Sequence, residues 1–280
     1  MTDFINNPLL TQQPFGSFDK TVLKRYENIS KVKKLPGLFD DSSSDVWEIQ
    51  GVCFEDSSKL INYVIKSHQV SDPSSFWQGM NLLFKRSICN SYRDAKATYT
   101  FIDTLTDLKI PQVCDVLVGQ AHCALVLGKI YGESIEATGV ADSLVKQLAK
   151  FLAEMHSQPV IRMGSIVANS EAEQALIYDS KAWQRDVLLT IQTLVSDELA
   201  QSPWVIEAVK NTSALTIQKI VPLMMDLRWD QFSQIEGELV GVFDLDAFVF
   251  APVELDFVIL EYLLTTQQLT IFKKSSIFKA

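Results

Sequence analysis

Three aspartates in the C-terminal part of the chain have the spacing of a base and a metal-binding pair. Asp226 follows the apolar run Ile220-Val-Pro-Leu-Met-Met225, and Asp244 and Asp246 follow a second run, Leu239-Val-Gly-Val-Phe243. Ionised carboxylates at the ends of buried strands are costly unless a cation or a hydrogen-bond donor meets them. Two such sites separated by a short hairpin are typical of phosphoryl-transfer chemistry. The spacing therefore predicts a site of that kind.

The composition limits the fold and the partners of the chain. Its 280 residues allow one large domain or two lobes, and a hydrophobic content of 47% is sufficient for a sizeable core. The net charge of -9 argues against general affinity for nucleic acid. No apolar run reaches the roughly 18 to 20 residues of a membrane-spanning helix. The first residues lack the basic and apolar regions of a signal peptide.

The cysteines predict a reducing environment. No two of them form a C-x-x-C pair, and they lie at Cys53, Cys89, Cys114 and Cys123. This spacing is not that of a zinc cluster. We therefore expect reduced thiols in a cytoplasmic protein.

The segments that must position the carboxylates change from β-rich to helical along the chain. Runs rich in β-branched and aromatic residues predict strands at residues 46–54, 60–66, 112–118 and 123–127. A helical region from about Ser74 to Leu108 lies among them and ends before Pro111. Apolar residues at helical spacing then predict helices at residues 140–156, 182–199, 203–220 and 254–267. This order predicts an α+β chain with a strand-rich domain at 46–128 and a helical domain at 129–280.

Residues 1–45 form a polar extension with a basic segment. Apolar residues recur at helical spacing at Val22, Leu23, Tyr26, Ile29 and Val32. Because lysines and an arginine lie between them, the pattern predicts a basic amphipathic helix. One interpretation is contact with a phosphate, a partner or anionic lipid. The other, which we favour, is a solvated face on a helix held by its apolar stripe.

The sequence resembles the aminoglycoside phosphotransferase and choline kinase group, which shares the two-lobed protein-kinase-like fold. The resemblance runs from about Val46 to Leu264. Several segments follow the order of the family. Leu60-Ile-Asn-Tyr-Val-Ile-Lys66 resembles the strand of the phosphate-binding lysine, and Cys123-Ala-Leu-Val-Leu-Gly-Lys-Ile-Tyr-Gly-Glu133 resembles the adenine hinge. Leu148-Ala-Lys-Phe-Leu-Ala-Glu-Met-His-Ser157 resembles a leucine-alanine…leucine-histidine helix, and Val242-Phe-Asp-Leu-Asp-Ala-Phe-Val-Phe-Ala-Pro-Val-Glu-Leu-Asp-Phe257 resembles the metal-binding segment. The resemblance implies an α+β fold with a small antiparallel-sheet N-lobe and a mainly helical C-lobe.

The resemblance also implies an activity, namely ATP-dependent transfer of the γ-phosphate to a hydroxyl of a small acceptor. Asp226 would accept the proton of the attacking hydroxyl. Arg228 would neutralise Asp226 or contact the γ-phosphate. Mg²⁺, which prefers hard oxygen ligands, would be bound by Asp244 with help from Asp246 and Gln231. The acidic composition favours a cationic acceptor.

The resemblance implies nucleotide-binding residues as well. Lys66 would meet the α- and β-phosphates of ATP as a point charge. Leu127 and Lys129 would lie in the adenine hinge. Lys85 is a rival to Lys66, but its surroundings are helical. The acidic partner of the lysine is open, and Asp94 is the nearest candidate.

Several positions depart from the family pattern. Met224 stands where the family has a histidine, and Gln231 stands where it has an asparagine. No glycine-rich phosphate loop is present, and no glutamate lies between His68 and Ala121. These departures favour an alternative function, a pseudokinase-like regulator or scaffold. The retained aspartates favour the kinase.

Overall fold

The computed structural model of the chain describes residues 26–36, 44–53, 56–69, 73–120, 122–167 and 179–275. The chain divides into two compact units. The first unit holds the residues up to Ser74 together with Ile88–Lys96 and Pro111–Lys129. The second unit holds Ser75–Ser87, Ala97–Ile110 and the residues from Ile130 onward.

The first unit is built on one antiparallel sheet of five strands in the order β1-β2-β3-β5-β4. The strands are β1 Tyr26–Lys34, β2 Asp45–Cys53, β3 Asp56–Gln69, β4 Val113–Val118 and β5 His122–Gly128. Alternate side chains along a strand point to opposite faces of a sheet. One face therefore carries the apolar core of this unit, which consists of Ile29, Trp47, Ile49, Tyr63, Ile65, Ala124 and Val126. This antiparallel sheet agrees with the N-lobe that the resemblance implies.

The basic helix predicted in the N-terminal extension is wrong for its described part, because Tyr26–Lys34 is strand β1. Val22 and Leu23 lie outside the described residues. Ile29 is buried with only 6% of its surface exposed, as part of the sheet core. The pairing of β1 with β2 shifts register between Glu27 and Lys31. This bulge breaks the two-residue period, so the apolar positions had the spacing of a helix.

The predicted helical region at 74–108 consists of two helices, α1 Ser75–Phe84 and α2 Ile88–Asp103. Lys85, between them, has a φ of 56°, which ends α1 because a helix requires a negative φ. The first half of α2 belongs to the first unit, and its remainder from Ala97 belongs to the second.

Cys89 in the first turn of α2 and Cys123 in β5 form a disulfide with a Cα–Cα distance of 5.6 Å. The prediction of reduced thiols is wrong for this pair. No sequence pattern indicates this pair, because the two cysteines are 34 residues apart and only the packing of α2 beside β5 brings them together. The cytoplasmic location loses this support and stays a prediction.

Among the described residues, the second unit contains most of the helices and two small sheets. Its strands pair in the orders β10-β9-β6 and β7-β11-β8, and they are β6 Glu133–Ser134, β7 Gly164–Ser165, β8 Ile220–Met224, β9 Phe232–Ile235, β10 Glu238–Val242 and β11 Phe248–Pro252. Its helices beyond α2 are α3 Asp142–His156, α4 Ser180–Leu194, α5 Asp197–Ala200, α6 Pro203–Asn211, α7 Glu254–Leu263 and α8 Thr266–Lys274. Among the helices described, none combines the length and the apolar character needed to cross a bilayer.

The helices predicted for this unit are present, but the bounds of several differ from the prediction. The helix predicted at 140–156 is α3. The one predicted at 182–199 is divided into α4 and α5, and Ser196 caps α5 by accepting from Leu199 N. The one predicted at 203–220 ends at Asn211, and Ile220 already begins β8. A short run of apolar residues does not distinguish a helix from a buried strand.

Candidate functional site

The three predicted nucleotide-binding residues share one face of the sheet in the first unit. Lys66 on β3 lies opposite Leu125 on β5, and Val64 lies opposite Leu127. Directly paired residues point to the same side of a sheet. Lys66 and Leu127 therefore lie on the face opposite the apolar core. Lys129 follows β5 and donates its backbone N–H to Asn62 O at 2.9 Å.

Lys66 is buried, with 8% of its surface exposed. Its ammonium lies 5.9 Å from the ring centroid of Tyr92 on α2, a distance at which the ring attracts a cation. Asp94, two residues further along α2, is also buried. The fold therefore places the cation of Lys66, on a strand, against a helix that carries an aromatic ring and a carboxylate.

Lys129 forms an ion pair on the same face of the sheet. Its ammonium lies 3.0 Å from Glu48 Oε1, and Lys31 lies 3.8 Å from the same oxygen. The hydrogen bond from Lys129 lowers the pKa of Glu48, while partial burial acts in the opposite direction. Glu48 is thus an anchor for Lys129, which the sequence did not indicate.

The predicted base, Asp226, lies in a loop that follows β8. All five residues of β8 are buried, and within the loop Leu227 and Trp229 are buried as well. Gln231 donates from Nε2 to Asp226 Oδ2 at 2.8 Å, and its Oε1 accepts from the backbone N–H of Arg228 at 3.3 Å. The amide of Gln231 therefore spans the loop and orients the carboxylate of Asp226.

Arg228 is bound to the neighbouring carboxylate of Asp230. Its Nε donates to Oδ1 at 3.0 Å and its Nη2 to Oδ2 at 3.3 Å, which is the two-point geometry that favours arginine. Burial disfavours the charged form, but the bond to Asp230 and the charges of Asp226 and Asp244 outweigh it and raise the pKa of Arg228. Arg228 therefore stays cationic beside the predicted base.

The predicted metal ligands lie in the turn between β10 and β11. Asp244 has a φ of 64° and a ψ of 49°, and Leu245–Ala247 form one turn of 3-10 helix. The segment is therefore not extended. Asp246 is buried and accepts on Oδ1 from the hydroxyl of Tyr99 at 3.1 Å. Asp244, in contrast, is only half-buried.

The base loop and the metal turn are neighbours in the second unit. Strands β8 and β11 pair, with Met224 opposite Phe248. Beyond this pair, Met225 N donates to Ala247 O at 3.3 Å and Phe243 N donates to Gln231 O at 2.9 Å. The fold thus brings together the predicted site residues of this unit, Asp226, Arg228, Gln231, Asp244 and Asp246.

A buried pair lies at the start of α7. Asp256 is fully buried, and its Oδ2 lies 2.6 Å from Nε2 of His156 at the end of α3. Burial raises the pKa of Asp256, and the bond to His156 acts in the opposite direction. This bond joins the end of α3 to the first turn of α7.

The sequence did not reveal Tyr99 or the internal bond of Gln231. A tyrosine in the middle of a helix has no motif of its own. For Gln231 a signal existed, since it lies five residues after Asp226, but the sequence does not say which carboxylate or backbone group its amide meets.

The donor set fits a hard divalent cation. Carboxylate oxygens are ligands that Mg²⁺ prefers, and Mg²⁺ retains several water and phosphate oxygens, so one or two protein carboxylates suffice. Asp244 is half-buried, at the end of a strand. Within the described ranges, no group of three or more His, Cys, Asp or Glu side chains could hold a metal ion.

Comparisons with known proteins identify the fold. No family model matches the sequence, and no curated protein matches it either. Solved structures do match, and all those described below are less than 20% identical to the chain.

The macrolide 2'-phosphotransferase MphH of Brachybacterium faecium superposes with a TM-score of 0.57 at 9% identity, over 91% of this chain and 80% of that one. A thermostable variant of the aminoglycoside phosphotransferase APH(4)-Ia, in complex with AMP-PNP and hygromycin B, gives 0.59 at 15% identity, over 93% and 82%. The gentamicin complex of APH(2")-IIa gives 0.52 at 19% identity, over 94% and 86%. These similarities show the protein-kinase-like fold of the phosphotransferases.

Proposed function

We propose that this chain, which has the fold of the aminoglycoside phosphotransferases, is an ATP-dependent kinase of a small hydroxyl-bearing molecule. One observation carries the proposal. The loop of Asp226 and the turn of Asp244 are joined by backbone hydrogen bonds, and Asp244 is held at a positive φ. A non-glycine residue rarely adopts this conformation unless its surroundings enforce it, and such residues cluster at functional sites.

Asp226 would be the base that accepts the proton of the acceptor hydroxyl. The Nε2–H of Gln231 is bonded to one of its oxygens, which fixes the direction of the carboxylate. A fixed base is effective because proton transfer requires hydrogen-bond distance in the reacting complex. Gln231 would therefore be a positioning residue for Asp226 rather than a metal ligand.

Arg228 would provide positive charge next to the base. Its two bonds to Asp230 hold the guanidinium in place, so that charge developing on a transferred phosphoryl group would meet a fixed cation.

Asp244 would bind Mg²⁺, with Asp246 in the same turn supporting it. When bound, this ion neutralises phosphate charge. Lys66, Leu127 and Lys129 would bind the nucleotide, with Lys66 as the cation for the phosphates. The proposal is supported by the neighbouring APH(4)-Ia structure, which contains AMP-PNP.

A calorimetric titration with ATP, with and without Mg²⁺, tests nucleotide binding. Transfer is then measured by ³¹P NMR with aminoglycosides and macrolides as the first acceptors. The expected result is Mg²⁺-dependent binding and transfer to at least one acceptor hydroxyl. The protein with Asp226→Asn, which retains an acceptor for Gln231, should bind ATP equally and transfer phosphate at a rate lower by about 10² to 10⁴. Absence of nucleotide binding by the unmodified protein would contradict the proposal.

A further inference from the structure

We propose that Tyr99 is a positioning residue for the metal turn and that its hydroxyl sets the affinity of this turn for a divalent cation. This inference rests on the proposed function. Tyr99 lies in the part of α2 that belongs to the second unit, as the turn does. It is buried, with 3% of its surface exposed.

The hydroxyl of Tyr99 makes two bonds to adjacent residues of the turn. It donates to Asp246 Oδ1 at 3.1 Å and accepts from the backbone N–H of Leu245 at 3.3 Å. One phenolic group can do both, because it carries one donor hydrogen and has acceptor capacity. It therefore ties a side chain to the main chain of the preceding residue.

The two bonds of Tyr99 also constrain Asp244, which precedes Leu245 in the turn. Asp244 has a positive φ, and the direction of its carboxylate depends on the peptide that it shares with Leu245. A hydroxyl that fixes the N–H of Leu245 also fixes the plane of this peptide, since the peptide group is planar. Tyr99 therefore acts on Asp244 through the backbone and on Asp246 directly.

Groups that orient metal ligands have large effects on metal affinity, although they never contact the metal. Phenylalanine at this position would fill nearly the same buried volume and would lack the hydroxyl. Tyr99→Phe thus separates the bonds of Tyr99 from its packing. Tyr262→Phe is a matched control, because Tyr262 on α7 is 90% exposed.

The experiment measures Mn²⁺ binding by electron paramagnetic resonance in the presence of a non-hydrolysable ATP analogue. For Tyr99→Phe we expect the dissociation constant of Mn²⁺ to rise roughly tenfold or more. Binding of the analogue without metal should stay within about twofold of the unmodified protein, because the nucleotide residues are unchanged. In Tyr262→Phe both values should be unchanged.

A second measurement distinguishes the loss of these two bonds from a loss of folding. Hydrogen exchange of the Leu245 amide in the metal-free protein should become faster in Tyr99→Phe, while the amides of β8 and β11 keep their protection. In a background of Asp246→Ala, which removes the acceptor of the Tyr99 hydroxyl, Tyr99→Phe should lower Mn²⁺ affinity less than it does in the unmodified protein, because one of the two bonds of Tyr99 is already lost. Exchange that accelerates throughout β8 and β11 would mean a structural role and would overturn the inference.

The outcomes separate this inference from the proposed function. If the unmodified protein binds Mn²⁺ with the analogue and Tyr99→Phe binds it equally well, the role of Tyr99 is wrong and the kinase proposal stands. If the unmodified protein binds neither the analogue nor Mn²⁺, both are wrong.

Discussion

The two units hold their candidate site residues by different means. In the first unit, Lys66 and Leu127 obtain their direction from the alternation of a regular sheet, and a disulfide and the Glu48–Lys129 ion pair brace the same face. In the second unit, Asp226 and Asp244 lie in irregular turns, where side-chain and backbone hydrogen bonds set their direction. We infer that substitutions in the first unit will change nucleotide affinity, and that substitutions in the second will change the rate of transfer.

The largest effect is expected for Asp226→Asn. Loss of a general base reduces the rate by about 10² to 10⁴, which corresponds to about 3 to 5 kcal/mol in activation free energy. The free energy of unfolding should change little, because asparagine retains an acceptor for Gln231. Steady-state kinetics and urea unfolding check both expectations. Asp107→Asn, on a residue of the same unit whose side chain is 90% exposed, is the control, and an equal loss of rate in both proteins would contradict the role of Asp226 as the base.

Removal of the disulfide should destabilise the protein without affecting the base. Closing a loop of 34 residues contributes about 3 to 4 kcal/mol in the chain-entropy model. We expect Cys89→Ser to lower the free energy of unfolding by up to this amount and to weaken ATP binding, because α2 also carries Tyr92 beside Lys66.

Urea unfolding with and without a reducing agent measures this loss. Reduction should destabilise the unmodified protein and leave Cys89→Ser unchanged, and Cys114→Ser, which replaces a cysteine outside the disulfide, should behave as the unmodified protein does. Equal stability of Cys89→Ser and the unmodified protein under oxidising conditions would contradict the prediction.

The two lysines of the first unit should differ in their effect on ATP affinity. A hydrogen bond to a charged group contributes about 1.5 to 3 kcal/mol, so Lys66→Met should weaken ATP binding by about 10- to 100-fold. Lys129→Met should cost less than about threefold, since Lys129 is partly exposed and already paired with Glu48. Calorimetry gives both values. A larger loss of ATP affinity in Lys129→Met than in Lys66→Met would mean that Lys129 binds the phosphates.

The smallest expected effect is the pH dependence due to Asp256. Burial raises the pKa of Asp256 in the folded protein, whereas in the unfolded chain it is near 3.9. Between these values the folded protein holds more protons, so the free energy of unfolding should fall as pH rises, by at most about 1.4 kcal/mol per pH unit. Asp256→Asn should remove this slope. Unfolding curves measured from pH 4 upward check it, and an identical slope in both proteins would contradict the assignment to Asp256.

The sequence predicted features that follow from repeated patterns and missed those that depend on single contacts. The strands around Lys66 and the position of Asp226 after an apolar run were readable, because burial imposes a period on the sequence. Strand β1 was not, because its bulge disturbs that period. The Cys89–Cys123 pair and the bond from Tyr99 to Asp246 join residues far apart in the chain. Such contacts depend on the packing of whole elements, which no local pattern encodes.

Strand β11 lies between β7 and β8, and this position has a consequence for how the protein folds. Val249 pairs with Leu223 on one side and with Ser165 on the other, so the small sheet joins stretches of chain that are synthesised far apart in time. Pairings between distant residues form slowly, because the intervening chain must first lose its conformational freedom. We therefore expect the loop of Asp226 to reach its final arrangement late in folding, and only after β11 has left the ribosome. A polypeptide shortened before β11 would retain the strand of Lys66 and would lack an assembled base.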